Sequence, residues 1–227
     1  MAWAGYAELG ASPMRRLPFL LEQKRPDKMR FEIMAEGLRS VRAFDGTVGW
    51  KMKPNPATGK AETQTYTPDE LAFARSAQVI DGPLMDYVAK GAALTLSGEG
   101  EVEGRKALVV DVKLPSGGGH RVWVDAATFL ELRHDRTVHG ATGPGAQVSV
   151  LFREYREFEG LKMATVIETS AEPGRPANRL VIEKIALNPE LDEAAFSRPP
   201  EVFSRRRGVV VDARGPSARS GASSPSP

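Results

Sequence analysis

Residues 99–134, EGEVEGRKALVVDVKLPSGGGHRVWVDAATFLELRH, constrain this chain more than any other stretch. Short runs that alternate apolar and polar residues are joined by tight turns. Glu103-Gly104 is a hairpin signal. Beyond it Leu108, Val110, Val112 and Leu114 alternate with Val109, Asp111 and Lys113. Pro115-Ser116-Gly117-Gly118-Gly119 turns the chain again, and Val122 and Val124 lead through Asp125-Ala126 to Leu130 and Leu132. A period of two places alternate side chains on one side of a strand. The stretch therefore reads as an antiparallel meander with one strongly apolar face, and it carries no chemistry of its own.

The rest of the chain extends this pattern. Residues 2–10 and Leu17 to Arg25 read as strands, the second ended by Pro26-Asp27. Met29, Phe31, Ile33 and Ala35 alternate with Lys28, Arg30, Glu32 and Met34. Glu36-Gly37 turns the chain into Leu38 to Phe44, and Asp45-Gly46 predicts a type I′ hairpin. Val48, Trp50 and Met52 share a strand face. Thr67-Pro68-Asp69-Glu70 predicts a helix start, with Thr67 as N-cap and Glu70 completing a capping box. After Asp81-Gly82-Pro83 a second helix is expected to about Lys90, with Leu84, Tyr87 and Val88 as its apolar face. Further strands follow at Gln147 to Phe158, Leu161 to Ser170 and Arg179 to Leu187, with Glu159-Gly160 as another hairpin turn. The expected fold is mainly β (α+β): a strongly curved antiparallel sheet of about ten or eleven strands, an unclosed barrel with a short helical lid. Residues 1–198 are expected to form one domain. Residues 199–227, rich in Pro, Ser, Gly and Arg, are expected to be a disordered tail.

Composition excludes several function classes. The chain has no cysteine, so disulfides, thiol nucleophiles and Cys-ligated metals are out. A net charge of +2 does not point to a nucleic-acid partner. No apolar run approaches the roughly 20 residues of a membrane-spanning helix.

The candidate chemistry is sparse. The histidines are His120, His134 and His139, all in or beside polar turns, and they are expected to be exposed loop residues rather than metal ligands. No G-x-S-x-G nucleophile turn occurs. Ser116-Gly117-Gly118-Gly119 lacks the Lys-Ser/Thr ending of a phosphate loop. The carboxylates Glu99, Glu101 and Glu103 flank a turn and are expected to be solvated. No catalytic residue, metal site or cofactor is expected. The large apolar groups Phe31, Phe44, Trp50, Phe73, Tyr87, Trp123 and Phe152 fit either an ordinary core or the lining of a cavity.

Several blocks together resemble a known family. They are LLEQKRPDKMRFEI (20–33), AFDGTVGW (43–50), DGPLMDYVAKG (81–91), VEGRKALVVDVKLPSGGGHRVWVDAATFLEL (102–132), FREYREFEGLKMATVIE (152–168) and IEKIALNPELDEAAF (182–196). Their order and spacing are similar to those of the outer-membrane lipoprotein-sorting proteins, relatives of the periplasmic lipoprotein carrier and its outer-membrane receptor. The resemblance implies a half-open β-barrel with helices as a lid over an apolar concave side. It implies a non-enzymatic carrier that shelters lipid or lipoprotein acyl chains in the periplasm. The lid candidates are Leu71, Phe73, Leu84, Tyr87 and Val88. The concave-face candidates are Phe31, Ile33, Trp50, Val110, Val112, Val122 and Val124. Against the family pattern the domain reads as N-terminally incomplete, lacking the signal peptide and the long amphipathic helix before the first strand. An alternative is an envelope sensing or interaction module on the same fold, with envelope proteins as partners.

Overall fold

The structure, a computed structural model, describes residues 1–9, 14–55, 57–76, 80–115, 119–140, 143–170 and 178–200. Among them the strands are β1 (Ala2–Leu9), β2 (Arg15–Lys24), β3 (Lys28–Ala35), β4 (Leu38–Phe44), β5 (Gly49–Pro54) and β6 (Ala61–Thr65). The helix α1 (Pro68–Ser76) comes next. Then follow β7 (Ala93–Val102), β8 (Arg105–Lys113), β9 (Gly119–Asp125), β10 (Glu131–Gly140), β11 (Gly143–Phe158), β12 (Leu161–Ser170) and β13 (Asn178–Ala186), and a 3-10 turn at Glu193–Ala195. From residue 201 onward the expected tail lies outside the described residues.

All thirteen strands form one 13-stranded sheet in the order β6-β5-β4-β3-β2-β1-β13-β12-β11-β10-β9-β8-β7. Every neighbouring pair is antiparallel. The two free edges, β6 and β7, are consecutive in the chain. The segment that joins them, which contains α1, therefore starts from one lip of the sheet and ends at the other. Helix α1 touches both β5 and β10, between which seven strands intervene. A flat sheet would hold those strands far apart, since neighbours are spaced by about 4.8 Å. The sheet is therefore strongly curved, with α1 on its hollow side, as the unclosed barrel requires.

The turn chemistry explains the register. Glu36-Gly37, Glu103-Gly104 and Glu159-Gly160 have positive φ at both positions (52° and 75°, 51° and 79°, 47° and 82°). This is the type I′ pattern, whose twist matches that of the strands it joins. Asp45-Gly46 differs from the expected two-residue turn. Asp45 keeps a negative φ, and its Oδ1 accepts from the amides of Thr47 (2.8 Å) and Val48 (2.7 Å), which makes a longer loop. The polar edge strand β6 goes beyond the expected strands.

The capping box forms as expected. The Glu70 amide donates to Thr67 Oγ1 (3.3 Å), and the Thr67 amide donates to Glu70 Oε2 (3.0 Å). The expected helix after Pro83 does not form; residues 80–91 are a series of turns. Asp86 stands at φ 51°, which interrupts helical winding. What survives is a helix-like ending. Ala92 donates to the Tyr87 carbonyl and Gly91 (φ 66°) to the Val88 carbonyl, both at 2.9 Å. That is the Schellman arrangement.

Candidate functional site

The strand ladders decide which residues share the hollow face. Phe31 pairs with Arg42, and Arg42 with Lys51. Both basic side chains reach Glu70 of α1: Lys51 at 2.8 Å and Arg42 at 2.7 Å. Phe31 and Ile33 therefore lie on the face that α1 covers. Following the ladders from Ile33 through Phe19, Gly5, Ala7, Leu180, Ile167, Phe152 and Val150 leads to His134 and Val122. Val122 pairs with Val110, Val124 with Leu108, and His120 with Val112. Phe31, Ile33, Val110, Val112, Val122 and Val124 are thus on one face, separated by most of the sheet.

Trp50 is not on it. It pairs with Ala43, one residue out of phase with Arg42. It packs with Val41 and Ala43 on the outer face, where its Nε1 donates to the Phe196 carbonyl (2.8 Å). The segment after β13 crosses β2 to β5 there as a strap. Phe196 is fully buried, and Glu193 pairs with Lys24 and Lys28.

The hollow face is apolar but incompletely covered. Trp3, Leu21, Phe31, Ile33, Phe152, Ile167 and Leu180 are all half-buried, whereas Val112 and Val122 are buried. Each residue of β3 has intermediate burial. Phe31 and Ile33 pack beside Ala7, Phe19 and Ile182 and are neither sealed in a core nor fully exposed. Leu84 packs against Val112, Val122 and Leu114, and so brings the 80–91 turns onto the same face. Leu71 is half-buried. Phe73, Tyr87 and Val88 are 38%, 38% and 72% exposed, so the lid presents apolar surface rather than sealing it. The entry of the lid depends on Gly49, where an added Cβ would lie 1.9 Å from the Tyr66 ring.

A polar group also sits on this face, contrary to the expectation of exposed histidines. His120 Nδ1 and His134 Nε2 are 2.6 Å apart and share one hydrogen bond, and both residues are half-buried. The side chain of His139 is outside the described part. His134 Nδ1 lies 3.6 Å from Glu131 Oε1. Burial pushes the Glu131 carboxyl up to about 7. Burial, with smaller contributions from His120 and Arg136, pushes His134 down to about 3. The two are thus a neutral pair near pH 6 rather than a salt bridge. Arg136 completes the group, its guanidinium 4.8 Å from the centre of the Phe73 ring. His120 has the same parity as Val122 and Val124, and that was the signal in the sequence. Arg136 had no such signal, because a bulge between Glu131 and Arg133 shifts the phase of β10. Among the described residues no cluster of His, Asp and Glu is arranged to hold a metal ion, and no helix is long and apolar enough to cross a membrane.

No family model matches the chain, and no curated protein matches it. Solved structures do. A LolA superfamily protein from Nitrosomonas europaea superposes with a TM-score of 0.54 at 11% identity, over 87% of this chain and 88% of that one. A DUF1329 family protein from Desulfovibrio piger gives 0.53 at 15% identity, over 86% and 89%. An outer membrane lipoprotein-sorting protein domain from Vibrio parahaemolyticus gives 0.46 at 15% identity, over 86% and 88%. At such identities the likeness concerns the path of the backbone. The path shared with the first two structures is the open, curved antiparallel sheet described above.

Proposed function

We propose that the protein is a non-enzymatic carrier that shelters acyl chains of a lipid or lipoprotein in the hollow of its half-barrel, in the periplasm. The observation that supports this best is the half-buried apolar face running from Phe31 and Ile33 to Val110 and Val124 beneath α1. Each methylene moved from water into such a hollow gains about 0.8 kcal/mol, so a long chain is retained without any polar contact. The lid is held to β4 and β5 by the ion pairs of Glu70 with Arg42 and Lys51. The likeness to LolA superfamily structures is in keeping with this role. Residues 1–198 would act as one carrier domain.

The test is uptake of a fluorescent fatty acid by the purified protein. Saturable binding that is lost in Ile33→Glu and retained when the outer-face Leu20 is changed to Glu supports the reading. Absence of any uptake refutes it.

A further inference from the structure

Arg136 is the charge on the hollow face that the fold leaves unanswered. It stands on β10 between His120 of β9 and Val148 of β11. Its Nε is sealed from solvent without a hydrogen-bond partner. It makes no ion pair among the described residues, and its guanidinium lies over the face of Phe73 on the lid. A guanidinium stays protonated at every pH at which proteins fold, so it cannot escape burial by losing its charge. An aromatic face offsets only part of that cost.

The nearby carboxylates are engaged elsewhere. Asp135 points to the outer face and accepts from Arg133 and from Ser149, each at 2.7 Å. Asp111 accepts from Arg121 at 2.6 Å and from Ser97 at 2.5 Å. Glu70 of the lid is taken by Lys51 and Arg42. Glu131 shares the hollow face but lies against His134. The fold thus places a permanent cation, with His120 directly opposite it, on an apolar wall beneath the lid residue Phe73. An oxyanion attached to an apolar chain would complement both the charge and the wall.

We propose that the hollow takes amphiphiles with an oxyanion head, the carboxylate of a long-chain fatty acid being the simplest, with the head on Arg136 beside His120 and the chain along Val110 and Val124. This rests on the carrier reading and narrows its cargo. Phe73 stacks on the guanidinium, so an arriving head would displace it and the same contact would report loading to the lid.

The test compares hexadecanoate, hexadecanol and acetate by calorimetry on the full chain. Hexadecanoate is expected to bind at least about tenfold more tightly than hexadecanol, as a charge-assisted pair requires. Acetate alone is expected not to bind measurably. Arg136→Met is expected to abolish the difference while keeping hexadecanol affinity; should that variant fail to fold, the wild-type comparison decides alone. Equal affinity for the two chains overturns this inference and leaves the carrier reading standing. Binding of neither chain overturns the carrier reading itself. Acetate binding as tightly as hexadecanoate would make this a free-anion site and overturn the link to the chain.

Discussion

The indole of Trp50 donates to the carbonyl of Phe196 across 146 residues of sequence, and this bond ties the C-terminal strap to the outer face of the sheet. Phe196 is fully buried, and Val41, Ala43 and Trp50 lie beneath the strap. Phe196→Ala is expected to cost about 3–5 kcal/mol through loss of burial and the cavity left behind. Trp50→Phe, which removes the bond and some volume, is expected to cost about 1–2 kcal/mol. Urea unfolding measures both. Because the strap lies opposite the hollow, fatty-acid affinity measured below the unfolding transition is expected to be unchanged.

Gly49 and Tyr66 set where the lid leaves the sheet. The Tyr66 amide donates to the Gly49 carbonyl (2.8 Å), and its ring occupies the space a Cβ would need. Gly49→Ala is expected to displace the ring, at a cost of about 1–3 kcal/mol, and to loosen the root of α1. Limited proteolysis is expected to cut within 66–92 faster than in the wild type. Adding Tyr66→Ala to Gly49→Ala is expected to restore part of the stability, since the smaller side chain removes the clash.

The capping carboxylate gives the lid an acid limit. Burial opposes ionisation of Glu70, but the Lys51 ammonium, the Thr67 amide and Arg42 outweigh it and hold the carboxyl at about 2. The folded state therefore binds fewer protons than the unfolded chain, whose glutamate titrates near 4.5. The stabilisation is complete above that value and is lost as pH falls towards 2. Glu70→Gln is expected to lower stability at pH 7 and to flatten the pH dependence between about 2 and 4.5. Thermal unfolding at stepped pH checks this.

Glu131 has the opposite sign. Burial raises its carboxyl to about 7 from 4.5, so the folded state binds more protons than the unfolded chain. Its contribution is present below 4.5 and is lost as pH rises through 7. Glu131→Gln is expected to remove a stability loss that runs between about pH 4.5 and 7. His134, held at about 3, acts in the other direction below 6.5, so the contribution of Glu131 is read as the difference between wild type and variant at each pH. A difference that does not change between pH 4.5 and 7 would contradict the burial of this carboxyl on the hollow face.

Strand periodicity and turn chemistry carried most of the fold. Glu36-Gly37, Glu103-Gly104 and Glu159-Gly160 supply glycine at the second left-handed position, and Thr67 with Glu70 supplies both halves of a cap. These are local signals. Trp50 shows where locality ends. Its phase relative to Met52 was readable, but which side was hollow depended on a strap far along the chain. The 83–90 stretch has helical spacing at Leu84, Tyr87 and Val88, yet the left-handed Asp86 breaks it. Strand β6, Ala61–Thr65, is polar and mostly exposed, and an edge strand with no buried face leaves no alternation to read. His120 keeps the parity of Val122 and Val124, whereas Arg136 stayed hidden because the bulge between Glu131 and Arg133 shifts the phase of β10.

On the carrier reading a hydrocarbon chain lies on the face shared by Phe31, Ile33, Val110 and Val124. The most direct measurement is photocrosslinking with a diazirine-bearing fatty acid, with the adducts mapped by mass spectrometry. Adducts on those residues, on Phe152 and on the lid residues Leu71 and Phe73, competed away by unlabelled fatty acid, are the predicted result. Adducts confined to outer-face residues such as Leu20 and Leu151, or none that compete, would contradict it.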